Sequence, residues 1–169
     1  MKIKAELSGG LTFIAAKTKA AANSSNSSNI NISQLEMRPS LIYFLTNKIA
    51  ATIYYFQTTI GEYTTSGFGL NGRWYYLQRG TTEYSQFDNK KITLSPTLTP
   101  YLEVGFKKQE FEAETISIKY SGLELGLGAD LHLKNDYYLK FALQIASMSS
   151  GSSRSVFSQS LLVGVGKGF

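Results

Sequence analysis

The chain has 169 residues, of which 43% are hydrophobic, 17% charged and 13% aromatic, with no cysteine and a formal net charge of +5. That length fits a single domain over residues 1–169. The missing thiols exclude a disulfide framework and a thiolate metal site, and the dispersed charge excludes a nucleic-acid footprint.

Tyrosine (11), phenylalanine (10) and glycine (15) are abundant, a composition that favours strands over helices. No apolar run approaches the ~20 residues that a membrane-crossing helix needs. Met1 is followed by Lys2, Lys4 and Glu6 without the apolar core of a signal peptide. An exported protein beginning this way reads as a mature chain with an initiator methionine.

From Ile3 onward the pattern has period two. Ile3, Ala5, Leu7, Leu11 and Phe13 alternate with Lys4, Glu6, Ser8, Gly10 and Thr12. Leu35, Met37, Pro39, Leu41 and Tyr43 alternate with Gln34, Glu36, Arg38 and Ser40. Leu123, Leu125, Leu127, Ala129 and Leu131 stand opposite Glu124, Gly126, Gly128, Asp130 and His132. Leu139, Phe141, Leu143 and Ile145 stand opposite Tyr138, Lys140, Ala142 and Gln144. The chain closes on Leu161, Val163, Val165, Lys167 and Phe169, interleaved with Leu162, Gly164, Gly166 and Gly168. Such alternation predicts strands whose two faces differ in chemistry. Runs of about ten residues exceed the ~5–6 usual in soluble sheets and match the ~9–11 of a tilted membrane-spanning strand.

Polar, low-complexity stretches predict loops at 18–29, 61–72, 107–114 and 149–154. Tight turns are predicted at 46–48, 88–91 and 133–136. The second of these is ambiguous, because Pro96 and Pro100 interrupt any central strand and favour a turn at 95–99 instead. Four loops and three turns join eight strands, giving an all-β, eight-stranded antiparallel up-and-down barrel.

Alternation serves a soluble barrel as well as a transmembrane one, so the two faces must decide. The polar face carries Gly10, Gly126, Gly128, Gly164, Gly166 and Gly168. Glycine weakens a water-facing strand, but inside a narrow barrel it leaves room for long side chains from opposite strands. The same face carries Glu6, Glu36, Arg38, Glu103, Glu124, Asp130 and Lys140, charges of both signs that suit a paired interior network. Aromatics at strand ends (Phe13, Tyr43, Tyr54, Trp74, Tyr76, Tyr101, Phe106, Tyr137, Phe157 and Phe169) suit a membrane–water interface. The reading is a transmembrane β-barrel with a polar interior.

Three stretches resemble the small eight-stranded outer-membrane barrels of Gram-negative bacteria, the group of OmpA-type transmembrane domains, OmpX-like proteins and opacity-type surface antigens. "LLVGVGKGF" is similar to their closing strand, "TPYLEVGF" to a strand of opacity-type members, and "SGLELGLGADLHL" to a strand leading into a periplasmic turn. The resemblance implies an integral protein of the bacterial outer membrane, monomeric, inserted by the barrel assembly machinery with Phe169 as the assembly signal. It implies partners among outer-membrane lipid and lipopolysaccharide, and host surface molecules as candidates for the extracellular loops. Lys17, Lys19, Lys107, Lys108 and Arg154 fall near the predicted extracellular ends of strands and are the candidate lipopolysaccharide contacts. Lys167 departs from the family preference for an apolar residue, and near an interface its amine can snorkel to the headgroups.

Catalysis is not expected. His132 is the one histidine and shares a face with Asp130, but the next position on that face is Lys134, not a serine nucleophile. One histidine and no cysteine hold no metal, and no cofactor motif is present. The expected function is that of a non-enzymatic surface barrel contributing to envelope integrity, adhesion and host interaction. A small passive channel and, behind it, a lipid-modifying enzyme are the alternatives.

Overall fold

The computed structural model describes residues 3–18, 28–60, 63–77, 83–87, 90–94, 98–113, 116–151 and 154–169. Eight long strands form the wall: β1 (Ile3–Thr18), β2 (Ser28–Phe44), β3 (Ile49–Ile60), β4 (Tyr63–Trp74), β7 (Leu98–Ala113), β8 (Ile116–His132), β9 (Tyr137–Ser150) and β10 (Arg154–Gly168). They close in the order β1-β10-β9-β8-β7-β4-β3-β2, with antiparallel pairing throughout. Two short strands, β5 (Glu83–Phe87) and β6 (Lys90–Leu94), pair only with each other.

The sequence alternation becomes an inside-out barrel. Along β10 exposed and buried residues alternate without a break from Ser155 to Gly168. Leu35, Leu123, Leu127, Leu161 and Val163 lie exposed on the outer wall, while the charged residues of the same strands are buried. An apolar outer belt around a polar interior is the pattern of a membrane-spanning barrel.

Both chain termini lie at one end, called here the terminal end, with connections 45–48, 75–97 and 133–136. The opposite, distal end carries connections 19–27, 61–62, 114–115 and 151–153. Asn135 and Asp136 adopt left-handed φ values of 60° and 63°, which the short polar side chains of "LKND" tolerate in a tight turn.

Two predicted loops are corrected. Residues 63–72 belong to β4 and 107–113 to β7, so β3–β4 and β7–β8 are joined by two-residue connections. The predicted second turn is corrected as well. The wall stops at Trp74 and resumes at Leu98, and the connection between them holds the β5–β6 hairpin, with residues 88–89 and 95–97 outside those described. Residues 98–99 already belong to β7. Pro100 sits two residues beyond the last β4–β7 pair, Trp74↔Leu102, where its missing N–H interrupts no ladder on that side. Pro39 faces outward in β2, and the β2–β3 register skips from Ser40↔Tyr54 to Met37↔Gln57 around it.

Candidate functional site: an ion-paired lumen between apolar caps

The interior is layered along the barrel axis. At the terminal end Ile42, Phe44, Ala50, Tyr75 and Tyr101 form a buried apolar cluster. At the distal end Ile14, Tyr120, Ala146, Met148 and Val156 form another, with Ile32 and Phe111 packed against it. Between the caps lie five cations (Lys4, Arg38, Arg73, Lys107, Lys140) and five carboxylates (Glu6, Glu36, Glu103, Glu124, Asp130), none more than 4% exposed. Five against five leaves this layer with no formal net charge.

The pairs follow the axis. Near the terminal end Lys4 Nζ lies 3.3 Å from Asp130 Oδ2, and the Tyr75 hydroxyl donates to the same oxygen at 2.9 Å. Arg73 Nε donates to Glu103 Oε1 at 2.7 Å, while its Nη1 lies 3.6 Å from Glu6 and 3.9 Å from Asp130. Lys140 Nζ binds Glu6 Oε1 at 2.5 Å. Gln144 bridges the halves: it accepts from Arg38 Nη1 and donates to Glu103 Oε2 at 2.8 Å. Further along, Arg38 Nε donates to Glu36 at 2.7 Å, and the Thr12 hydroxyl donates to the other Glu36 oxygen at 2.8 Å. Tyr54 and Asn71 donate to Glu124 Oε1 at 2.7 and 2.8 Å. Guanidinium planes cover aromatic rings, Arg38 over Tyr54 and Arg73 over Tyr101, each 4.1 Å from the centroid.

Glu6, Glu36, Arg38, Glu103, Glu124, Asp130 and Lys140 thus share one connected interior. Lys4, Arg73 and Lys107 join this network beyond the residues expected there, and Lys4 shares the parity of Glu6, so the alternation alone points it inward. Lys107, expected among the lipopolysaccharide contacts, is interior instead: it is 1% exposed with its Nζ 4.4 Å from the Phe56 ring centroid. Lys17, Lys108 and Arg154 are exposed at the distal end, and Lys19 lies outside the described residues. Tyr54 and Tyr101, expected at the interface, are interior instead.

Space for these rings comes from glycine directly across the strand pair. Tyr54 faces Gly69, Tyr101 faces Gly128 and Tyr138 faces Gly166, and a Cβ at any of the three glycines would overlap the tyrosine ring.

His132 Nε2 lies 3.0 Å from Thr99 Oγ1, while the Asp130 carboxylate is engaged by Lys4 and Tyr75, so the two residues form no base–carboxylate pair. Among the described residues no cluster of metal-ligating side chains occurs. At the terminal end the Phe169 N–H donates to the Ile3 carbonyl at 2.9 Å and its ring is exposed. Lys167 fits there because its Nζ lies 5.1 Å from the Tyr137 ring centroid and 5.6 Å from that of Phe169.

No family model matches the sequence, and no curated protein does. Among solved structures the chain is similar to Neisserial surface protein A, with a TM-score of 0.62 and 13% identity over 98% of this chain and 97% of that one. It is also similar to the N-terminal β-barrel domain of Pseudomonas aeruginosa OprF, with a TM-score of 0.54 and 14% identity over 94% of this chain and 96% of that one. Likeness at these identities establishes a shared fold, that of the small eight-stranded outer-membrane barrels.

Proposed function

We propose that the chain is a non-enzymatic surface barrel of a Gram-negative outer membrane, contributing to envelope integrity and to contact with host or other surfaces. In this reading its termini face the periplasm and its distal end faces outward. The observation that carries it is the ion-paired lumen flanked by an apolar cluster towards each end, inside an apolar belt. Such an interior ties the strands together across a barrel narrow enough to be filled by its own side chains, which favours a scaffold over a channel. One of the structural neighbours is a surface protein by name, in keeping with this role. Lipid and lipopolysaccharide surround the belt, with Lys17, Lys108 and Arg154 at headgroup level.

The test compares a deletion strain with its parent. The expected result is impaired adherence or serum survival, with lipid A mass unchanged and no single-channel current from the purified protein in planar bilayers. Changed lipid A would point to an enzyme, and steady conductance to a channel; either overturns the reading.

Phe169 serves assembly in this reading, because a terminal ring exposed at the interface is poorly placed to hold the core. Deleting Phe169 is expected to lower the amount of folded protein in the outer membrane while leaving refolding into detergent micelles unchanged. Equal losses in both measurements would make the residue structural.

A further inference from the structure

Two wall strands run on past their neighbours at the distal mouth. β8 pairs with β9 only from Ser121, leaving Ile116–Tyr120 beyond that ladder. This overhang carries a charge, Lys119, which is exposed and 3.5 Å from Glu110. The second overhang differs.

β2 pairs with β1 along its whole length from Ser28, but with β3 only from Met37. The β2–β3 register, continued upward, sets Gln34 opposite Ile60, where β3 ends. Residues 28–33 therefore rise past the end of β3, and residues 34–36 stand beside it unpaired. Among the described residues no strand covers this edge of Ser28–Ser33. Along an antiparallel strand successive N–H groups point to opposite edges, so about half of these residues present backbone donors and acceptors to the open side.

Two features make the edge usable. Natural proteins protect free edges with lysine, proline or bulges, yet residues 28–35 read Ser-Asn-Ile-Asn-Ile-Ser-Gln-Leu. The apolar belt of β2 begins only at Leu35, and the outward Asn31 and Ser33 above it are exposed and polar, which places most of the edge where water and solutes reach it.

We propose that the open β2 edge, Ser28–Ser33, is a docking site for an extended peptide segment of a partner protein, which adds to it as a further strand. Acyl chains cannot satisfy backbone N–H groups. A second barrel inserted the same way, related by a two-fold axis along the membrane normal, brings its β2 alongside in parallel, the less stable pairing. The site gives the surface-contact role a partner class and rests on the distal end facing outward.

The experiment uses the full chain in phosphatidylcholine nanodiscs and follows amide hydrogen exchange over residues 28–33. The probe is the synthetic nonapeptide GLTFIAAKT, the sequence of Gly10–Thr18, which within the barrel pairs with the other edge of β2 over Ser28–Glu36 and so covers the open stretch. Without probe, alternate amides are expected to exchange fast; with it, these slow by about tenfold or more, as paired strand amides do. A control peptide with proline at alternate positions is expected to give no protection. Of the variants Asn31→Pro and Ile32→Pro, one removes an open-edge donor and is expected to keep the barrel while losing probe protection. Edge amides already slow without probe, equal protection by the proline control, or protection that grows with protein concentration alone each overturn the proposal. Labelling of Ser33→Cys on intact cells with a membrane-impermeant maleimide tests the orientation separately.

Discussion

Replacing Arg73 by methionine is expected to destabilise the barrel by about 3–5 kcal/mol, the cost of removing one partner from a buried ion pair. Arg73 is fully buried and is the cation shared by Glu103, Glu6 and Asp130. Without it Glu6 retains Lys140 at 2.5 Å and Asp130 retains Lys4 at 3.3 Å. Glu103 retains only the neutral Gln144 amide at 2.8 Å among its described hydrogen bonds. The uncompensated charge therefore falls mainly on Glu103. Adding Glu103→Gln to Arg73→Met is expected to recover a large part of the loss, because an unpaired buried charge costs more than a neutral amide in the same place. The measurement is urea unfolding in detergent micelles, with the gel shift on boiling as a second probe of the folded fraction. Conductance is expected to stay absent in both variants, since the apolar clusters at the two ends contain neither residue. A loss below about 1 kcal/mol, the level of an exposed pair, would mean that the network does not hold the wall together.

The parts of this molecule that were legible in the sequence are those where one face repeats without interruption. β8, β9 and β10 alternate cleanly, and their glycines and carboxylates are hard to place anywhere but a narrow lumen. β4 was missed because "YTTSGFGLNG" has loop composition, rich in glycine, serine, threonine and asparagine. In a small barrel that composition has another cause: Gly67 and Gly69 lie under the Phe56 and Tyr54 rings, where a larger residue would not fit. "KKQEFEAE" misleads in the same way, since a run of mixed charge reads as solvated while Lys107 and Gln109 point inward and Lys108 outward. Tyr54 and Tyr101 illustrate the limit for aromatics. A tyrosine near a strand end suits an interface, and only the opposing strand, with Gly69 or Gly128 in register, shows that the ring turns inward. Cross-strand register is thus what single-strand periodicity lacks, and the free edge of β2 was invisible for the same reason.

Gly166→Ala is expected to destabilise the protein by about 1–3 kcal/mol, the range for forcing an extra methyl into a packed core. The added Cβ would meet the ring of Tyr138 directly across the β9–β10 pair. That ring cannot swing away freely. Its hydroxyl donates to Glu6 Oε2 at 3.2 Å, and Lys4 Nζ lies 4.5 Å from its centroid. Gly69→Ala against Tyr54 is expected to act alike, since that hydroxyl donates to Glu124 at 2.7 Å beneath the Arg38 guanidinium. Removing the ring should relieve the clash, so Tyr138→Ala is expected to cost less in the Gly166→Ala background than in the parent, a coupling readable from the double-mutant cycle. Outward glycines provide the opposite sign. At Gly9 and Gly72 the nearest atom to a new Cβ lies 3.6 and 3.8 Å away, ordinary contact distance. There alanine adds strand propensity without overlap and is expected to be neutral or to stabilise by roughly 0.5–1 kcal/mol. If all four substitutions destabilised equally, ring-over-glycine packing would not explain why glycine lines this lumen.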